Sequence, residues 1–149
     1  HSIDANGRVM DAFLTDGLRS LLSLPANKMG EYTVRWPGHI QKYQNTDLSP
    51  VELVDAWAID SSRSEFTWME VDILSGDNRR TWVVEDLGKD GDSSMARTTG
   101  LVTACCVIAW LDRPEMLAPG VHAPEHLPDE VIRLVIEVMR SEGVSIKLQ

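Results

Sequence analysis

The apolar and polar positions of the chain change period several times, and each change marks an element. Asn6-Gly7 reads as a tight turn between two short strands, the second over Val9–Leu14. Thr15 or Asp16 then caps a helix whose apolar positions are Leu18, Leu21 and Leu22 and which Pro25 ends. Glu31–Trp36 alternates at a period of two and predicts a strand, stopped by Pro37, and Gly38–Gln44 reads as a short helix. Asp47 or Ser49 caps a helix over Pro50–Ile59, with Val51, Leu53, Val54 and Trp57 expected on its buried side. Phe66–Leu74 and Arg79–Leu87, rich in β-branched and aromatic residues, form a hairpin around Ser75-Gly76-Asp77-Asn78.

After a polar loop over 88–94, Ser93 or Ser94 caps a long helix that reaches Asp112. Its opening, Met95-Ala96-Arg97-Thr98-Thr99-Gly100, is polar, and Leu101–Leu111 is apolar on all sides, so the pattern predicts a buried helix. A guanidinium on the first turn of a buried helix needs a carboxylate or another anion to meet it. The stretch 113–127 is proline-rich and irregular; Pro128–Glu142 is amphipathic, with Val131, Leu134, Val135 and Val138 on one stripe and Gly143 as C-cap. Val144–Leu148 closes as a strand. Strands come both in hairpins and singly between helices, which predicts an α+β fold: a mixed, largely antiparallel sheet with helices packed mainly on one face.

Composition narrows the classes. With 149 residues and 43% hydrophobic content, the chain fits a single domain over 1–149 that buries about two-thirds of its unfolded surface. Formal net charge is −9, which argues against nucleic acid or an anionic membrane as partner. With no uninterrupted apolar run of eighteen residues and no charged-then-apolar leader, the expected location is the cytoplasm. Cys105 and Cys106 are neighbours on a helix, about 100° apart around its axis, and read as buried thiols of a reducing compartment.

Three groups of residues carry candidate chemistry. Arg35 ends a strand just before the amides of Gly38, His39 and Ile40 open a helix, so a donor fork and a helix start could face one carboxylate. Thr15-Asp16-Gly17 sits at a strand-to-helix turn, where an acid could receive an ammonium or simply act as N-cap. Arg97, Thr98 and Thr99 form either a buried clamp or the wall of a site, and Gly100, costly inside a helix, suggests close approach of another backbone or a cofactor. His122-Ala123-Pro124-Glu125-His126 matches H-x-x-E-H, but Pro124 breaks the helical spacing that a zinc site needs, so no metal is expected. Asp90-Gly91-Asp92 reads as a turn, and Trp68 and Trp82 as core or interface. No glycine-rich nucleotide loop follows any strand.

Four motifs in order, Ala12-Phe13-Leu14-Thr15-Asp16-Gly17-Leu18-Arg19, Thr33-Val34-Arg35-Trp36-Pro37-Gly38-His39, Arg97-Thr98-Thr99-Gly100 and Pro119-Gly120-Val121-His122-Ala123-Pro124-Glu125, resemble the C-terminal region of the saccharopine dehydrogenase family and its lysine 6-dehydrogenase-like relatives. The resemblance implies the substrate-binding and dimerisation domain of an NAD(P)-dependent oxidoreductase acting on a C–N bond of an amino acid. By it, Thr15, Asp16, Gly17, Arg35 and His39 lie near the substrate, and Arg97, Thr98 and Thr99 lie at a seam with a Rossmann domain that would precede His1. NAD or NADP would be bound by that other domain and none by this chain alone. A homodimer is implied, with part of the long helix exposed in the isolated domain or covered by a second copy. A stand-alone binding or assembly module is the alternative.

Overall fold

The computed structural model describes residues 1–17, 22–58, 62 and 64–149. Among these residues it is an α+β chain with two antiparallel three-stranded sheets, one in each of two compact units, His1–Asp60 and Ser61–Gln149. The one sheet expected from the pattern is thus two.

In the first unit β1 (Ser2–Asp4), β2 (Val9–Thr15) and β3 (Glu31–Arg35) lie side by side in that order. The β1–β2 turn takes Asn6 at φ 57° and Gly7 at φ 80°. Two successive positive values are what a two-residue hairpin needs to match the twist of its strands. The Gly7 amide donates to Asp4 Oδ1 at 2.8 Å and closes the turn. Met10 and Ala12 of β2 are buried with Ala5, while Leu14 at the far end is exposed. Of the helix expected over Leu18, Leu21 and Leu22, residues 18–21 lie outside the described residues.

Two short helices follow, α1 (His39–Gln44) and α2 (Pro50–Ala56). Ser49 closes a capping box on α2: its hydroxyl accepts from the Glu52 amide, and the Glu52 carboxylate accepts from the Ser49 amide at 2.8 Å. Those bonds, the Ser49 hydroxyl's first, hold the Glu52 carboxyl below its ordinary pKa. The helix stops at Ala56, short of the expected Ile59, with Trp57 as C-cap. Val51 and Val54, expected inside, are 73% and 72% exposed. At about 100° per residue Leu53 and Trp57 point to one side, and the two valines are rotated away from it.

The second unit contains β4 (Thr67–Ser75), β5 (Asn78–Asp86), α3 (Ser94–Asp112), α4 (Asp129–Ser141) and β6 (Ser145–Leu148). Its sheet runs β4-β5-β6, and the hairpin ladder is unbroken from Ser75↔Asn78 to Thr67↔Asp86. Directly opposed residues share a face, so Met69, Val71, Ile73, Trp82, Val84, Ile146 and Leu148 form one apolar surface. Thr67 and Asp86 belong to the same face and bond to Ser94 and Arg97, which places the start of α3 over it. Cys105 and Ala109 of α3, Val131 and Met139 of α4, and Val144 supply the buried apolar residues. Gly143, at φ 91°, ends α4 as expected and lets the Val144 amide return to the Met139 carbonyl at 2.9 Å.

The long helix is not buried on all sides as its apolar pattern predicts; part of it is exposed, as the resemblance leads one to expect of the isolated domain. Its buried residues are Ser94, Cys105 and Ala109, whereas Val107, Ile108, Trp110 and Leu111 are exposed. By length and composition alone α3 is long and apolar enough to cross a bilayer, and little of it is buried. Its first turn, however, is tied to the sheet by ion pair and hydroxyl bonds. Burial pushes the Cys105 thiol pKa up; both cysteines are unbridged, Cys105 buried and Cys106 half-buried.

The first hairpin offers a clean test of backbone cost. A Cβ at Gly7 would meet nothing within 4 Å, so Gly7→Ala should lose about 1 kcal/mol through φ alone. Urea unfolding should show a lower midpoint at an unchanged slope.

Candidate functional site

The register of β2 on β3 puts Asp11 opposite Arg35, Phe13 opposite Thr33, and Thr15 opposite Glu31. All six residues therefore share one face of the first sheet. The expected substrate residues fall into two groups on it, Thr15 with Asp16 and Gly17 at one end, Arg35 with His39 following at the other. Four residues along a strand separate the ends, roughly 14 Å.

At the Thr15 end the hydroxyls are already engaged. Thr33 Oγ1 donates to Thr15 Oγ1 at 3.2 Å, and Thr15 Oγ1 donates to Glu31 Oε1 at 3.1 Å. A Cβ on Gly17 would lie 3.2 Å from the same Glu31 oxygen. The carboxylate that organises this corner is thus Glu31, which the motif reading left out; Asp16 is exposed beside it. The helix that Thr15 or Asp16 would cap falls on residues outside those described.

The Arg35 end differs from expectation in one respect. Gly38, at φ 81° the left-handed N-cap of α1, donates its amide to Asp11 Oδ2 at 3.1 Å, and the His39 amide donates to the Trp36 carbonyl at 3.1 Å. The helix start is therefore occupied from within, and six residues make too short a helix to bind an anion by its dipole. The His39 ring packs tilted by 42° against Trp57 with centroids 4.7 Å apart, and Tyr43 approaches the same indole. Arg35 itself is exposed and donates from Nη1 to the Val34 carbonyl at 2.8 Å. It has no acidic partner among the described residues.

In the second unit Arg97 is a clamp. Its Nε donates to Asp86 Oδ2 at 2.9 Å and its Nη2 to the Glu142 carbonyl at 2.8 Å. The two side chains are 10% and 5% exposed, so charge is compensated where water is scarce. The bond to Asp86 raises the Arg97 pKa further above its ordinary value. Ser94 donates its amide and hydroxyl to Glu65 and shares a bond with Thr67, fixing the same end of α3. Thr98 turns its hydroxyl back to the Ser94 carbonyl at 2.8 Å, and the Thr99 carbonyl accepts from Thr103 at 3.0 Å. Of the three motif residues, Arg97 alone reaches another element through these bonds.

Beside the clamp opens a cavity of about 340 Å³, whose lining includes Asp86, Gly88, Lys89, Arg97, Glu142 and Gly143. A Cβ at Gly88 would come within 2.8 Å of the Asp92 carbonyl oxygen, and φ there is 75°, so the position requires glycine. The cations of the cavity face acids: Asp86 on Arg97, and Glu142 at 3.9 Å from Lys89. Such a lining offers no cluster of unpaired cations for a cofactor phosphate. Gly100, expected to mark a close approach, has nothing within 4 Å of its would-be Cβ. In the last motif His122 Nε2 bonds the Ala118 carbonyl, and Pro124 opens a 3-10 turn over Pro124–His126. Glu125 Oε1 is buried without a hydrogen bond among the described residues.

Compared with known proteins, the chain matches no family model and no curated protein. The resemblance to the saccharopine dehydrogenase family rests on the four motifs.

Two predictions separate clamp from site. Asp86→Ala leaves a buried guanidinium uncompensated and should lower the melting temperature by on the order of 10 °C. Replacing both partners, Asp86→Leu with Arg97→Met, should recover part of that loss; a double variant as unstable as the sum of the singles would refute the pairing. Gly100→Ala should stabilise α3 by about 1 kcal/mol, as for an exposed helix interior. Denaturant melts of the purified chain would read either sign.

Proposed function

We propose that the chain is the substrate-binding portion of an NAD(P)-dependent, saccharopine dehydrogenase-like oxidoreductase acting on a C–N bond of an amino acid. The observation that carries this reading is Arg35: an exposed guanidinium with no acidic partner among the described residues, in a chain of net charge −9. A planar donor fork in that position suits a carboxylate from outside the chain. The acidic end of the same sheet face, with Glu31 held by Thr15 and Asp16 nearby, suits an ammonium. The separation of roughly 14 Å favours an extended amino acid whose two ends touch the two motifs.

The residues present do not fit the nicotinamide cofactor. The chain has no glycine-rich strand-to-helix loop, and the cavity beside Arg97 is balanced by its own acids. The cofactor belongs to a separate nucleotide-binding domain of the same protein, and this chain's residues bind and orient the amino acid. Two adjacent unbridged thiols suit the cytoplasm as the working compartment. A second reading, an assembly module, is favoured by the exposed apolar side of α3, where Ile108 and Leu111 are 61% and 67% exposed.

Arg35→Ala, in the protein that joins this chain to its nucleotide domain, should raise KM for the amino acid about a hundredfold or more and leave cofactor affinity nearly unchanged. Steady-state kinetics with amino acid and cofactor varied independently would check it. An unchanged KM for the amino acid removes the carboxylate role from Arg35.

A further inference from the structure

We infer, resting on the proposed roles of Arg35 for a carboxylate and Glu31 for an ammonium, that Phe13 is the residue by which this face selects its substrate. It admits an amino acid whose two charged ends are joined by an apolar chain and rejects one with an ether or amine midway. The register that sets Arg35 and Glu31 at opposite ends puts Phe13 opposite Thr33 between them, about 7 Å along the strands from either end. An extended ligand that touches both ends has to cross Phe13.

Of the six residues on this face, Phe13 alone is apolar. Alternation gives β2 its buried side at Met10 and Ala12, so the core does not account for a ring at position 13. The benzyl group stands half-buried on the polar side instead. Its neighbours offer a ligand little in exchange for water. The Thr33 hydroxyl donates to Thr15 Oγ1, and the Thr15 hydroxyl donates to Glu31 Oε1, so both O–H groups nearest the midpoint are committed. A polar group carried over Phe13 gives up water without a new donor, whereas methylenes there cover the ring at no such cost. Phe13 against Thr33 is also an ordinary aromatic to β-branched cross-strand pair that helps hold the sheet. Its place between a guanidinium and a carboxylate held by the same two strands gives it the second role.

Isothermal titration calorimetry of this chain with two probes of equal length tests the assignment. One is ω-aminooctanoate, with only methylenes between its ammonium and carboxylate; the other carries two ether oxygens in place of mid-chain methylenes. The all-methylene probe should bind about tenfold or more tightly. Phe13→Leu, still apolar, should keep that preference. Phe13→Thr and the milder Phe13→Tyr, each bringing a hydroxyl to the midpoint, should cut it to roughly threefold or less. Melting temperatures read in parallel show that the variants fold. Arg35→Ala should weaken both probes by a similar factor, because it removes a contact they share. Equal affinity of the wild type for the two probes overturns the role of Phe13, and so does a preference that Phe13→Tyr leaves intact; an Arg35-dependent affinity then still supports the two-ended face. Binding of neither probe, or binding that Arg35→Ala leaves unchanged, overturns the face and the role of Phe13 together.

Discussion

The buried pair of Asp86 and Arg97 is the constraint on which the second unit depends. It joins the last residue of β5 to the first turn of α3, and through the Glu142 carbonyl to the end of α4. Neither charge can be left alone at that burial, so the three segments are fixed together or not at all. Ser94 adds a second tie at the same place, with Glu65 and Thr67 as partners. The helix is held by its polar beginning, and the apolar remainder needs only the narrow side with Cys105 and Ala109 to stay down.

That arrangement explains what the sequence could and could not reveal. Turn chemistry was readable: Asn6-Gly7 and Gly76 each announce their hairpins, and Ser49, Ser93 and Gly143 announce helix ends. The need of Arg97 for a partner was readable as well, but not which of the 23 acidic residues would supply it. The apolar pattern of α3 predicts burial on all sides because an evenly apolar helix gives no direction; that some of it is exposed is expected from the resemblance, but nothing in the pattern says that Val107, Ile108 and Leu111 are the residues that face outward. Gly100 was misread for the same reason, since its open surroundings follow from which side the helix turns inward.

The first unit shows a different limit. The register of β2 on β3 is set across a connection far longer than a hairpin turn, so no turn residue dictates it. Only with the register in hand do Asp11 and Glu31 join Arg35 and Thr15 on one face. Asp11 then takes the Gly38 amide that a substrate was expected to use, and Glu31 takes the Thr15 hydroxyl. The register thus places at one end a guanidinium with no ion pair among the described residues, and at the other a carboxylate bonded by the Thr15 hydroxyl.

The exposed surfaces of the second unit share one cause. Because α3 is anchored at the Thr67 and Asp86 end of the sheet, the opposite end of the apolar face, with Val71, Ile73 and Leu148, is left less covered. Hydrophobic residues there are 41–55% exposed, and among the described residues the strand they flank pairs only with β5. The clamp that fixes the helix therefore also determines which part of the sheet stays uncovered.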